Sequence, residues 1–416
     1  MTKTKQLVGP FTELLTMGNI PLRGAINDDA IQIISHAGIV IEDNKIVSIG
    51  HFDKMYNTYK AKNLHVEELE EKSVGLPGFI DVHTHICYGG SRARDYAMRN
   101  GGKTYLDIAK AGGGIWQTVN DTRKESQEAL VNGILRRLEK VKQNGITTIE
   151  IKSGYGLSIV EELKMLRAIK ASSVASKLDI VATCLAAHIF PKDYDGTISE
   201  YLYEISQKLF PILRDEKLST RIDAFVEEEA FSGELIAPYF SRAQELGFDI
   251  CIHADQFSTG ASKVAVDFKA VSADHLEAST EKEIILLANS DVVPVALPGA
   301  SIGLGCPFTP ARKLLDAGTS LAIASDWNPG SAPMGDLLTQ ASILATFEKL
   351  SNAEVLAALT CRAAPVLRLK DRGVLAPNKL ADFTAFPTND YREIFYHQGQ
   401  MKPSHVWKKA ELILSS

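Results

Sequence analysis

The amino-acid sequence predicts an α/β fold: a (β/α)8 barrel joined to a small composite β-sandwich domain drawn from both termini. Eight short apolar runs, at about 79–85, 147–152, 179–185, 221–227, 249–254, 270–275, 291–296 and 320–326, carry this reading. Most are near-continuously apolar, as parallel strands covered on both faces must be. Helical spacing separates them. Leu130, Ile134, Leu138 and Val141 recur at four, four and three residues and lay one apolar stripe along a helix. Strand and helix alternating in this way is the pattern of a barrel, with a doubly wound open sheet as its rival. The flanks differ. Gly38-Ile39-Val40-Ile41 and Ile46-Val47-Ser48-Ile49-Gly50 bracket Glu42-Asp43-Asn44-Lys45 as a hairpin would. Gly373-Val374-Leu375, Ala381–Phe386 and Val406-Trp407 repeat that style near the C-terminus. Neither flank supports a core alone, so residues 1–76 and 367–416 are expected to share one β-domain beside a barrel at 77–366.

Bulk composition narrows the function classes. The chain has 416 residues, 45% hydrophobic and 23% charged, enough for a large ordered core. A net charge of −6 gives no electrostatic reason to expect nucleic acid or an anionic membrane as partner. Five scattered cysteines without a C-x-x-C spacing suit reduced thiols in a cytoplasmic protein, with Cys184 and Cys251 expected as buried small hydrophobes. The N-terminal residues Met1–Leu7 lack the apolar core of a signal peptide. No apolar run approaches the roughly 20 residues that span a bilayer.

The chemistry-bearing residues gather at the ends of the expected strands. His83-Thr84-His85 closes the first run, and alternation points both imidazoles one way. Alone, a His-x-His pair is weak evidence for a metal. Here His253, His275 and Asp326 end three further runs, and Tyr155 and His188 lie just past the second and third. In barrel enzymes the active site occupies the C-terminal strand ends. Neutral imidazoles with one carboxylate suit a borderline cation such as Zn2+ or Fe2+. His83, His85, His253 and Asp326 would fill four positions, leaving His275 to assist a reaction. The fourth run ends Phe225-Val226-Glu227-Glu228-Glu229, without a lysine that could bridge two metals, so a single ion is expected. The three glutamates read as solvated or supporting groups, Glu228 being placed to hydrogen-bond a ligand histidine.

Pro77-Gly78-Phe79-Ile80-Asp81-Val82-His83-Thr84-His85 resembles the amidohydrolase superfamily, whose members pair a metal-bearing barrel with a composite β-domain. Within it the chain is similar nearly end to end to the imidazolonepropionase family of histidine degradation. Gly89-Gly90-Ser91-Arg92, Ala111-Gly112-Gly113-Gly114-Ile115, Lys152-Ser153-Gly154-Tyr155-Gly156 and Ala324-Ser325-Asp326-Trp327-Asn328-Pro329-Gly330-Ser331 carry that likeness. The resemblance implies metal ligands at His83, His85, His253 and Asp326, with one divalent or trivalent ion, Zn or Fe, per subunit. It implies substrate contacts at Arg92, Tyr155, His188, Gln256, Asn328, Gly330 and Ser331, and catalytic roles for His275 and Asp326. The reaction implied is hydrolysis of the ring amide of 4-imidazolone-5-propanoate, a small-molecule substrate, by a cytoplasmic enzyme of a size that is often a homodimer.

Each residue also has a plainer role. Arg92 is a planar fork suited to a carboxylate, yet most arginines are simply solvated. Tyr155 follows a strand in a Gly-Tyr-Gly turn, a flexible placement that fits either a contact residue or a packed loop aromatic. Ala111–Gly114 lacks a following G-K-[ST], so it is no P-loop and reads as a close-packed loop near the site. One departure stands out: Gln256 occupies a position where the family often has Glu, and a neutral amide orients groups but cannot exchange a proton. Proton transfer would then fall to Asp326 and His275. The rival readings are a nucleobase-type aminohydrolase with the same ligands, and a barrel retained as a non-catalytic scaffold.

Overall fold

A computed structural model describes residues 4–61, 63–69, 72–227 and 230–415. Five strands come first: β1 (Lys5–Leu15), β2 (Ile33–Glu42), β3 (Lys45–His51), β4 (Leu64–Glu68) and β5 (Val74–Pro77). The barrel strands follow as β6 (Phe79–Asp81), β7 (Ile146–Lys152), β8 (Asp179–Ala187), β9 (Arg221–Val226), β10 (Asp249–Ala254), β11 (Ser272–His275), β12 (Val293–Ala296) and β13 (Ala322–Ile323). The last three are β14 (Phe383–Phe386), β15 (His405–Lys408) and β16 (Glu411–Ser415).

Each of the eight expected runs overlaps one barrel strand, and β6 to β13 pair in sequence order, all parallel. β7 is buried along its whole length, as a parallel strand covered on both faces must be. The stripe Leu130, Ile134, Leu138 and Val141 lies on the helix Gln127–Gln143, with each side chain no more than 2% exposed. Burial of this kind contributes roughly 1.5–3 kcal/mol per side chain. Ser126 starts the helix by accepting from Ala129 N at 3.1 Å, a donor the first turn would otherwise leave unpaired.

The first and last barrel strands are shorter than their apolar runs suggest, and the reason bears on function. Beyond Asp81 and Ile323 the two segments bond to each other through isolated contacts. Asp326 N donates to His83 O at 3.0 Å, and His85 N to Trp327 O at 3.0 Å. Ser325 donates to Asp81 through both N (3.0 Å) and Oγ (2.6 Å). Barrel closure thus runs through the backbone of the residues expected to hold a metal.

Both termini contribute to one mixed sheet, ordered β16-β15-β14-β5-β1-β2-β3 with β4 beside β1. The expected hairpin is present: β2 and β3 pair antiparallel with Glu42 opposite Lys45, and Asp43 takes a positive φ of 56° in the turn. Val8, Phe11, Ile39, Phe383 and Trp407 form its core. The sheet curls around that core until Trp407 Nε1 of β15 donates to Glu67 Oε1 of β4 at 3.0 Å. Gly373-Val374-Leu375 is not a strand. Gly373 has φ +82°, and a Cβ there would lie 2.8 Å from Thr360 O, so the backbone bends. Leu375 still docks, its N donating to Thr16 O at 2.9 Å.

Cys184 and Cys251 are fully buried, and all five cysteines are free. Cys251 Sγ also receives Arg221 Nη2 at 3.1 Å. Among the described residues, no helix is long and apolar enough to cross a membrane.

An ion cluster ties the barrel to the mixed sheet. Asp179, which opens β8, meets Arg372 at 2.5 Å, Lys408 of β15 at 2.8 Å and Lys409 at 2.8 Å. Burial alone would raise the Asp179 carboxyl, but these cations outweigh it and hold it well below the ordinary carboxylate range. Asp179→Asn should destabilise the protein by about 2 kcal/mol in chemical denaturation near neutral pH. A depressed folded-state pKa contributes stability above the unfolded value of about 3.9 and loses it below, so the gap between the two proteins should close as pH falls under about 4.

Candidate metal centre and active site

Beneath the strand ends lies a charged layer inside the barrel. Alternation along β7 puts Glu150 and Lys152 on one face, and both are buried, at 0% and 1% exposure. Lys152 Nζ sits 2.8 Å from Glu150 Oε1, 2.8 Å from Asp223 Oδ2 and 3.9 Å from Asp274 Oδ2. Burial would lower the Lys152 ammonium, but Asp223 and Glu150 more than offset it and keep it charged. The carboxylates in turn face the histidines. Asp274 Oδ2 lies 2.6 Å from His83 Nδ1, and Asp223 Oδ1 lies 3.1 Å from His253 Nδ1. Glu150 Oε2 accepts from Thr84 N at 3.1 Å, fixing the residue between His83 and His85.

With Nδ1 of His83 and His253 held by carboxylates, their Nε2 atoms converge on that of His85. His85 Nε2 lies 3.2 Å from His83 Nε2 and 3.3 Å from His253 Nε2. Burial pushes His83 well below its usual pKa, with the Lys152 charge adding to the effect, and burial lowers His85 as well. With His83 and His253 turned by carboxylates at Nδ1, three Nε2 atoms face one another, a donor set that a cation between them would satisfy. Zinc–nitrogen bonds of about 2.0–2.1 Å in tetrahedral geometry set ligand atoms about 3.3 Å apart, so this donor set fits a metal ion. Asp326 Oδ1 lies beside this group, at 3.3 Å from His85 Nε2 and 3.6 Å from His83 Nε2. Its other oxygen is engaged: Oδ2 accepts from Asn328 Nδ2 at 2.9 Å and Ser331 Oγ at 3.3 Å.

His275 stands beside this group without joining it. Its ring centre is 5.3 Å from that of His253, and its Nδ1 is 3.4 Å from Glu277 Oε1. Burial opposes its protonation, but Glu277 outweighs burial and raises the imidazole above its usual range. Both His275 (φ 84°) and Asp326 (φ 49°) adopt left-handed backbone at their strand ends. Such conformations are uncommon for residues with a Cβ and concentrate at functional sites.

His188 stacks on His85 at 5.4 Å with 18° between planes and donates Nδ1–H to Gly154 O at 2.9 Å, which leaves Nε2 open. Tyr155 packs against both rings and is 4% exposed. Its turn is not flexible as the glycines suggest. Buried Glu162 accepts from Gly154 N (3.1 Å), Gly156 N (2.7 Å) and Leu157 N (2.8 Å), pinning the loop.

Arg92 and the Asn328–Ser331 turn meet. A Cβ added to Gly330 would lie 3.3 Å from Arg92 Nη1. Arg92 Nε pairs with Asp95 and Nη1 with Thr118 Oγ1 at 3.3 Å, leaving Nη2 without a partner among the described residues. Asp95 also accepts from Gly114 N at 2.8 Å, and a Cβ at Gly113 would fall 2.3 Å from Asp95 Oδ1. The glycine run is therefore the close-packed loop expected, and its work is to seat the carboxylate that aims Arg92. Asn328 spends its amide inside its own turn, with Oδ1 accepting from Gly330 N and Ser331 N, each at 2.8 Å.

Gln256 is half-buried on the loop after His253, with no hydrogen bond among the described residues. Glu227 holds that loop, accepting from Phe257 N at 2.9 Å and Ser258 N at 3.1 Å, and is 6% exposed rather than solvated. Glu228 and Glu229 lie outside the described residues. Sequence reasoning missed Glu150, Lys152, Asp223 and Asp274. Four charges inside apolar strand runs were the available signal, since unpaired burial of such groups is too costly to be incidental.

The model of the amidohydrolase family (Amidohydro_3) matches residues 106–395. An imidazolonepropionase of Bdellovibrio bacteriovorus is 38% identical over 395 residues, 94% of this chain and 92% of that one. Among solved structures, a triazine hydrolase from Arthrobacter aurescens superposes with a TM-score of 0.75 at 15% identity, covering 99% of this chain and 95% of that one. An adenosine deaminase from Xanthomonas campestris, with bound zinc, gives a TM-score of 0.71 at 16% identity over 99% of this chain and 93% of that one. The two structures speak for the fold alone, a (β/α)8 barrel of amidohydrolase type with its composite sheet. The near full-length sequence match goes further: the chain belongs to the amidohydrolase family and, within it, to the imidazolonepropionases.

Proposed function

We propose that this chain hydrolyses the ring amide bond of 4-imidazolone-5-propanoate to N-formimidoyl-L-glutamate, the third step of histidine degradation. The observation that carries the reading is Arg92, which meets the Asn328–Ser331 turn after Asp326 through Nη1 at Gly330 and has Nη2 without a partner among the described residues. A nucleobase offers no carboxylate for that guanidinium, whereas the propionate tail does. His83, His85, His253 and Asp326 would hold one divalent or trivalent ion, Zn or Fe, per subunit. When bound, such an ion polarises a carbonyl and lowers the pKa of water towards 7.

The chain's own residues divide the remaining work. His275 faces the carbonyl carbon under attack and donates to the oxyanion that develops there. Asp326 takes a proton from the attacking water and returns it to the ring nitrogen as the C–N bond breaks. Asn328 and Ser331 donate to Oδ2 and hold the carboxylate in its orientation. Tyr155 and His188 wall the ring pocket, with His188 Nε2 open to accept from a ring N–H. Gln256 contributes an amide for orientation and no proton.

A direct assay tests this reading: formimidoylglutamate should form from imidazolonepropionate, stop after treatment with a chelator, and resume on adding Zn2+ or Fe2+. No product, alongside deamination of a nucleobase, would contradict it. Two substitutions should separate binding from chemistry. Arg92→Ala should raise KM about 10- to 100-fold with metal content intact, in line with one lost charge-assisted contact. His275→Asn should lower kcat about 100- to 1000-fold while the metal stays bound. Loss of metal in His275→Asn would make that residue a ligand instead.

A further inference from the structure

We infer a second cation site outside the barrel, formed by His36, His51 and Asp53 on the mixed sheet. Three adjoining elements supply the donors: His36 comes from β2, His51 closes β3, and Asp53 sits in the first turn of the helix Phe52–Tyr59. One ligand atom from each lies within 4.8 Å of the other two. Asp53 Oδ2 is 3.6 Å from His36 Nε2 and 3.7 Å from His51 Nδ1. These distances are too long for hydrogen bonds, and a few tenths of an ångström wider than the edge of about 3.3 Å that ligands share around a zinc-sized ion. All three side chains are exposed and free to close that gap.

The backbone supplies a second, independent observation. His36 adopts φ +45°, a left-handed conformation uncommon for residues other than glycine. Its ring stands 4.8 Å from that of His51 and lies edge-on against Phe52 at 5.9 Å, while its neighbour Ala37 is buried in the sheet core. Two imidazoles and one carboxylate match a late first-row divalent ion such as Zn2+, Ni2+ or Cu2+, with water in the remaining positions. An ion there would clip the β2–β3 hairpin to the helix that follows it. Nothing in the proposed hydrolysis uses these residues, so the inference stands apart from that reading.

Untagged protein with its barrel site loaded should be titrated with Zn2+ by calorimetry. A second, weaker equivalent is expected. His51→Ala should weaken that equivalent at least tenfold while keeping the first equivalent and turnover. His36→Gly should do the same, and it avoids strain because glycine takes this φ freely. Binding of only one equivalent by the wild-type protein would overturn the inference. So would a second equivalent that persists unchanged in either variant.

Discussion

The buried ammonium of Lys152, among Glu150, Asp223 and Asp274, is the interaction on which the site depends. Three carboxylates at 0–1% exposure share it as their counter-charge. Asp223 and Asp274 orient His253 and His83 through Nδ1 and turn their Nε2 atoms inward. One charge thereby fixes two rings, and through the contact of Glu150 with Thr84 it fixes the segment between His83 and His85. The geometry of the proposed metal site is thus a property of the barrel interior more than of the loops above it.

The same economy governs barrel closure. β6 and β13 form no continuous ladder; the backbones of His83, His85 and Asp326 close the cylinder themselves. Any disturbance of closure would displace the proposed ligands, so fold and site are held by one set of contacts. Arg92 shows the complementary arrangement on the loops. It is aimed by Asp95, Asp95 is seated by Gly114, and the approach is open only because Gly113 has no side chain.

Much of this was legible in the sequence because two signals are strong. Continuous apolar runs between amphipathic stretches placed all eight barrel strands, and strand-end histidines converge whenever the strands close into a cylinder. What stayed hidden depends on contacts between distant segments. Lys152 opens the Lys152–Gly156 motif, but its partners Asp223 and Asp274 are adjacent only after the barrel forms. The rigidity of the Tyr155 turn comes from Glu162 on the next helix, which no local glycine pattern reveals. Gly373–Leu375 read as a strand from apolar content, whereas packing against Thr360 O decided its bend.

Replacing Asp223 by Asn tests the central claim most directly, because the substitution keeps the shape and removes only the charge that orients His253. Metal affinity of the barrel site, measured by chelator competition on folded protein, should weaken about 10- to 100-fold. Unchanged affinity in Asp223→Asn would show that the histidines hold the ion without the buried charged layer, and would contradict the account.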